Sequence, residues 1–157
     1  MIRRATSADV PAIALLIRAL ADYEKLSHTV VLDEARLRDD LFGPRPYAEV
    51  LIAEDGGLTV GFALFFHNYS TFLGRPGIYL EDLFVLPEAR GRGHGKALLA
   101  ELAKVAVERG CGRMEWSVLN WNTPSIEFYK RLGAQPMDEV YRLTGAALEK
   151  LSRSGEG

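Results

Sequence analysis

The sequence predicts a mixed α/β (α+β) fold in which a mostly antiparallel sheet is flanked by helices. Asp55-Gly56-Gly57 lies between two strand-like runs and indicates a hairpin, hence antiparallel pairing. The helix-like segment 93–109 joins two further strand-like runs and indicates a parallel crossover. The 157 residues are 48% hydrophobic and 25% charged, so we expect one packed domain over residues 1–157.

The first elements follow from local signals. Residues 1–5 are predicted as a short strand, and Thr6 with Asp9 three positions later is typical of a capping box ahead of a helix. That helix is predicted to have one apolar face, formed by Val10, Ile13, Leu16, Ile17 and Leu20. A second helix is expected over 33–41, because Gly43-Pro44 ends it.

The remaining elements are strands and helices in alternation. Strands are predicted at 49–54, 59–68 and 78–86, at 114–119, and finally at about 135–143. The helix 93–109 is expected to direct Ala97, Leu98, Leu102, Val105 and Ala106 inward and to end at Gly110. Another helix is predicted at 123–132, closed by Gly133, and a last one at 146–152.

Composition excludes several functional classes. The net charge of -2 gives no general attraction to nucleic acid, and no apolar run approaches the roughly 20 residues that span a membrane. The lone Cys111 excludes an internal disulfide, and cytoplasmic residence is expected. The histidines, at positions 28, 67 and 94, are scattered and have no ligands at metal-binding spacing, so no metal is expected.

The loop from Arg90 to Gly95 is the strongest chemical signal. Glycines let the backbone approach a ligand closely, and a helix start offers free N–H groups to a phosphate. A P-loop is excluded because Ala97 follows Lys96 where a hydroxyl residue belongs, and the Rossmann pattern lacks its third glycine. Contact with RNA phosphates is disfavoured because no aromatic side chains accompany the loop to stack on bases. A glycine-rich turn that binds no ligand stays an alternative.

In its wider context this loop resembles the coenzyme A-binding signature of the GNAT superfamily of N-acetyltransferases. The resemblance covers nearly the whole chain and is similar in detail to the spermidine/spermine (diamine) and thialysine acetyltransferase branch. The stretches that carry it are Tyr23-Glu24-Lys25-Leu26, Tyr79-Leu80-Glu81-Asp82-Leu83, Arg90–Gly95, Trp121-Asn122 and Phe128-Tyr129-Lys130-Arg131-Leu132-Gly133-Ala134. It implies a GNAT-like sheet whose parallel strand pair is splayed around acetyl-CoA.

The resemblance implies which residues hold acetyl-CoA, the co-substrate. They are Leu83, Phe84 and Val85 through their main chain, Arg90, Gly91, Arg92, Gly93, His94, Gly95 and Lys96 in the loop, and Asn122, Thr123, Pro124, Ser125 and Tyr129. Tyr129 matches the general acid that protonates the leaving thiolate, and packing beside Phe128 is its alternative role. A cysteine nucleophile is disfavoured because nothing near Cys111 in sequence can act as its base, so direct attack in a ternary complex is expected.

The residues expected to bind and deprotonate the acceptor amine are mostly acidic. A free amine is protonated at neutral pH and needs a base, for which Glu81 is the first candidate, while Asp82 is expected on the opposite face of the strand. Further substrate contacts implied by the resemblance are Tyr23, Glu24, Glu115, Trp116, Ser117 and Glu139. Without the resemblance, Glu24 would be read as an exposed helix-end acid.

We therefore expect acetylation of a primary amine on a small cationic metabolite: a polyamine, a diamine, or a thialysine-like or lysine-like amino acid. A protein lysine or N-terminal acetyltransferase, or a non-catalytic acyl-CoA-binding module, are the alternatives. The resemblance also implies a homodimer, and no nucleic-acid or membrane partner is expected. The aromatic region 69–72 is a candidate interface and equally a candidate core segment.

Overall fold

A computed structural model describes residues 1–137 and 140–154 of the chain. By its internal contacts the chain divides into two compact units, Met1–Ser117 and Val118–Gly157. The first unit contains β1 (Ile2–Arg4), α1 (Val10–Tyr23), α2 (Glu34–Phe42), β2 (Glu49–Asp55), β3 (Leu58–Ser70), β4 (Arg75–Val85), α3 (His94–Glu108) and β5 (Met114–Trp116). The second contains α4 (Thr123–Arg131) and α5 (Gly145–Ser154). The single-domain organisation stays a prediction.

In the described residues, the sheet has five strands in the order β1-β2-β3-β4-β5. The pairs from β1 to β4 are antiparallel, and β4 pairs with β5 in parallel after the crossover through α3. The predicted mixed, mostly antiparallel sheet is therefore confirmed. The hairpin at Gly56 and Gly57 is also confirmed: their φ angles of 59° and 80° suit the left-handed turn that glycine favours.

The core lies on both faces of the sheet. On one face, α1 and α2 cover alternate strand residues in a cluster made of Ile13, Leu16, Leu41, Val50, Ile52, Phe62 and Phe84. Because successive residues of a strand point to opposite faces, Leu51, Ala53, Ala63 and Phe65 are buried on the other face, toward α3. Helices therefore pack on both sides, as the element order predicts.

α3 departs from its predicted face at one position. Ala97 is exposed, and the buried set is Leu98, Leu99, Leu102, Val105 and Ala106. The observed buried set differs from the predicted one only in having Leu99 in place of Ala97. These two positions lie about 200° apart around a helix, and the larger side chain occupies the buried position. Gly110 ends α3 with φ 70°, as predicted.

The C-terminal prediction is partly wrong. Residues 135–137 and 140–143 are not strand, so the described part of the predicted strand 135–143 is irregular. The strand predicted at 114–119 ends at Trp116. The helices predicted at 123–132 and 146–152 are confirmed as α4 and α5, and Gly133 closes α4 with φ 93°.

Candidate active site

The glycine loop leads directly into α3. Gly91 and Gly93 have φ angles of 80° and 84°, in the left-handed region that side-chain-bearing residues avoid. A Cβ at either position would meet nothing within 4 Å, so the backbone conformation itself requires glycine. Since Gly93 is the N-cap, the N–H groups of the first helical turn have no acceptor within the helix. This loop can present several N–H donors to an anion.

Two side chains of the loop are held by the β2–β3 hairpin. Arg92 Nη1 lies 2.7 Å from Asp55 Oδ2, and His94 Nε2 lies 3.3 Å from the same oxygen. These hydrogen bonds, first from Arg92 and then from His94, lower the pKa of Asp55. From the sequence, Asp55 is predicted only as a turn residue. Its contact with the loop is long-range, and no local signal could have predicted it.

Arg90 has a different set of contacts. Its Nε donates to the Val85 carbonyl at 2.9 Å. Its guanidinium carbon lies 4.8 Å from the ring centroid of Tyr23 and 5.3 Å from that of Phe84. The side chain of Arg90 is therefore directed toward the end of α1 and the end of β4.

The end of β4 extends beyond its parallel neighbour. Within the described residues, β4 pairs with β5 only from Ile78 to Leu80, whereas β4 continues to Val85. Leu83, Phe84 and Val85, predicted to act through their main chain, lie in this extension. Phe84 is the buried one of the three, and its neighbours are half-buried.

A β-bulge separates the two carboxylates on β4. Leu64 is opposite Asp82 and Phe65 is opposite Leu80, so Glu81 is the extra residue. Glu81 is exposed. Asp82 shares its face with Phe84, toward α1, and its pKa is raised from 3.8 to about 6, first by burial and then by the charges of Glu81 and Glu24.

The end of α1 faces the same region. The ring of Tyr23 lies 6.2 Å from that of Phe84. Glu24, which caps α1, is half-buried, and burial raises its pKa. Tyr23, Glu24 and Asp82, three predicted substrate contacts, therefore lie in one acidic neighbourhood. Because the bulge interrupts strict alternation at Glu81, the placement of Glu81 and Asp82 on opposite faces stays a prediction.

The predicted substrate residues near β5 have structural partners. Glu115 accepts a hydrogen bond from Asn68 Nδ2 at 3.1 Å and forms an ion pair with Arg113, also at 3.1 Å. Trp116 pairs with Leu80 across the parallel strands, and Ser117 Oγ lies 2.8 Å from the Tyr79 hydroxyl. These contacts fix the strand, and their role toward a substrate stays a prediction.

The second unit carries the remaining predicted residues. Asn122 caps α4, accepting a hydrogen bond from the Ser125 N–H at 3.4 Å, and Thr123 and Pro124 form the first turn. Tyr129 lies on the same helix, and its ring centroid is 5.7 Å from that of Phe128. Glu139 lies outside the described residues.

Residues 1–137 and 140–154 contain no cluster of His, Cys, Asp and Glu side chains that could hold a metal ion. None of their helices has the length and apolar character needed to cross a membrane.

Comparisons with known proteins agree on one family. The sequence model of the acetyltransferase (GNAT) family matches residues 16–134. The chain is 41% identical to a thialysine N-epsilon-acetyltransferase of Bos taurus, over 97% of this chain and 96% of the relative. It is 35% identical to an L-ornithine N5-acetyltransferase of Arabidopsis thaliana, over 97% and 87% of the two chains.

A solved structure has the same fold over almost the full length. An integron cassette protein of V. cholerae superimposes with a TM-score of 0.81 at 27% sequence identity, covering 98% of each chain.

Proposed function

This chain belongs to the GNAT family of acetyltransferases and is an acetyl-CoA-dependent N-acetyltransferase, and from this premise we propose that its acceptor is a primary amine of a small cationic metabolite. The candidates are a polyamine, a diamine, or an amino acid of the thialysine or lysine type. The observation that carries the proposal is the acidic neighbourhood of Glu24, Glu81 and Asp82 beside Tyr23. Such a site favours a cationic ligand, and relatives that acetylate thialysine and ornithine agree with this class.

Acetyl-CoA is proposed to bind between the glycine loop and the end of β4. The N–H groups at the start of α3 would hold the pyrophosphate, with Arg92 and Lys96 supplying positive charge. The strand extension at 81–85 would accept the pantetheine as an added strand, and a main-chain N–H of Leu83, Phe84 or Val85 would stabilise the oxyanion. Asn122 to Ser125 would add contacts from the head of α4.

The reaction needs a base on the acceptor side. The ammonium proton passes to a carboxylate, and the free amine attacks the acetyl carbonyl. Glu81, acting directly or through water, is the base implied by the family resemblance. Asp82 is the second candidate: it is more buried, and a pKa of about 6 makes it a stronger proton acceptor than an ordinary carboxylate at neutral pH.

The collapse of the tetrahedral intermediate needs an acid. The C–S bond breaks, and Tyr129 is proposed to donate its phenolic proton to the departing thiolate. Loss of this donor would lower kcat by about 10²-fold or more.

We further propose that the protein is a cytoplasmic homodimer. The single cysteine agrees with a reducing compartment. Sedimentation of the purified protein at several concentrations tests the dimer, and a monomer at all of them would refute it.

Thiol release from acetyl-CoA, measured against polyamines, diamines, lysine analogues and peptides, tests the acceptor. We expect turnover with a small amine and a much smaller rate with peptides. Preference for a peptide would replace the proposed acceptor, and no release with any small amine, despite coenzyme A binding, would overturn it. Tyr129→Phe tests the general acid. Comparison of Glu81→Gln with Asp82→Asn identifies the base, because the variant that lacks the base should show the larger loss of kcat/KM.

A further inference from the structure

Arg90 opens the glycine loop, yet its side chain does not extend over the loop. The Nε atom is used by the Val85 carbonyl at 2.9 Å, at the last residue of β4. The guanidinium stacks over two aromatic rings, 4.8 Å from Tyr23 and 5.3 Å from Phe84. Arginine makes such contacts well because its planar group can stack on a ring and donate a hydrogen bond at its edge at the same time.

These contacts join three segments with different proposed tasks. Val85 ends the strand proposed to hold pantetheine, Arg90 begins the loop proposed to hold pyrophosphate, and Tyr23 ends the helix on the acceptor side. Tyr23 and Phe84 also contact each other, with ring centroids 6.2 Å apart. The side chain of Arg90 contacts Val85, Tyr23 and Phe84 together.

The segment after Tyr23 forms a tight turn. Glu24 leads into Lys25, whose φ of 61° is uncommon for a residue with a side chain. The Leu26 N–H closes this turn on the Ala21 carbonyl at 2.8 Å. The orientation of the Glu24 carboxylate, whose charge acts on Asp82, is thus set one residue from the ring that Arg90 covers.

We infer that Arg90 is a positioning residue that couples the binding of acetyl-CoA to the binding of the amine, in place of the direct phosphate contact expected from its motif. Ordering of the loop by the cofactor orders Arg90, which in turn orders Tyr23 and the turn that carries Glu24. The inference rests on the proposed function for the identity of the two ligands. Because coupling is reciprocal, the amine strengthens coenzyme A binding by the same factor.

Hydrogen exchange of residues 21–26, measured with and without coenzyme A, tests the coupling without any amine. We expect coenzyme A to slow exchange there in the wild type and to leave it unchanged in Arg90→Lys, which retains the charge but loses the planar stack. The matched control is Arg109→Lys, which also changes an arginine that lies over an aromatic ring, Phe65 at 5.9 Å, but outside the proposed site, and it should keep the slowed exchange. Thermal melting shows that each variant is folded.

Calorimetry supplies the second measurement. In the wild type, saturating coenzyme A should raise amine affinity about fivefold or more, and in Arg90→Lys this ratio should fall to about one while coenzyme A affinity changes less than about threefold. Slowed exchange that persists in Arg90→Lys would overturn the inference. A large loss of coenzyme A affinity in Arg90→Gln, restored by Arg90→Lys, would assign Arg90 to phosphate binding instead. Absence of amine binding to the wild type, with exchange as expected, would refute the proposed acceptor and leave intact the role of Arg90 in ordering residues 21–26.

Discussion

Replacing Asp82 by asparagine removes a carboxyl group whose ionised form is less favourable in the folded state than in the unfolded chain. Burial, followed by the charges of Glu81 and Glu24, raises the Asp82 pKa from its ordinary value of 3.8 to about 6. Between these two pKa values, Asp82 is therefore still protonated in the folded state but ionised in the unfolded chain. Stability must decrease as pH rises through this range, and the loss is complete above the folded pKa.

The magnitude follows from the two pKa values. Linkage gives a destabilisation by the Asp82 carboxylate of less than about 1 kcal/mol at about pH 4, about 2 kcal/mol at about pH 5, and about 3 kcal/mol at about pH 7 and above. Asp82→Asn should be more stable than the wild type by up to these amounts. If Asp82 is the base, the same variant should lose about 10²-fold or more in kcat/KM, so that stability and activity change in opposite directions.

Urea unfolding of the wild type and of Asp82→Asn, repeated between about pH 4 and pH 8, measures this difference as a free energy of unfolding. The control is Glu81→Gln, which removes the same charge from an exposed site and should change stability by less than about 0.5 kcal/mol. A difference between Asp82→Asn and the wild type that does not vary with pH would refute the reasoning, because it would show that folding does not disfavour the Asp82 carboxylate.

Three further predictions concern the scaffold. Gly93→Ala should lose about 1–2 kcal/mol because φ is 84° there, whereas Gly95→Ala within α3 should be neutral or stabilising; equal melting temperatures would contradict this. Phe62→Ala, at a fully buried position, should cost about 3–5 kcal/mol in urea unfolding, and Phe72→Ala, fully exposed, less than about 0.5. Asp9, whose pKa is lowered to about 2 mainly by its hydrogen bond from Arg3, contributes stability that is lost as pH falls from about 4 to about 2; Asp9→Asn should show a smaller loss in an acid titration of the melting temperature.

Much of the fold was predictable because its signals are local. Glycines with positive φ mark the hairpin at 56–57, the loop at 91–93, and the ends of α3 and α4, and each was identified from the sequence. The apolar spacing of α1 predicted the residues that meet the sheet. Such signals depend on a few neighbouring residues and do not need the partner surface.

The misjudged details depend on partners distant in sequence. The shortness of β5 is set by its pairing with β4, which ends at Leu80. The contacts of Arg92 with Asp55 and of Arg90 with Tyr23 join positions 37 and 67 residues apart. The environments of Glu81 and Asp82 depend on a bulge that appears only when β3 is laid beside β4. Composition and periodicity carry no information on these pairings.

Because of the extra residue, Glu81, the alternation of side chains between the two faces of the sheet is reversed between the first and second halves of β4. Leu80 and Asp82 are two positions apart, yet they face opposite sides of the sheet, because the bulge uses one residue without advancing the pairing with β3. Deleting Glu81 alone would restore a regular ladder in which Leu80 and Asp82 are neighbours and keep the opposite faces that they have now. Regular pairing at the present chain length, without the bulge, would instead put Leu80 and Asp82 on one face. The bulge therefore lets β4 carry one more carboxylate, Glu81, while Asp82 stays beside the end of α1. A chain of this family that lacks only the extra residue would keep the buried carboxylate and lose its exposed neighbour.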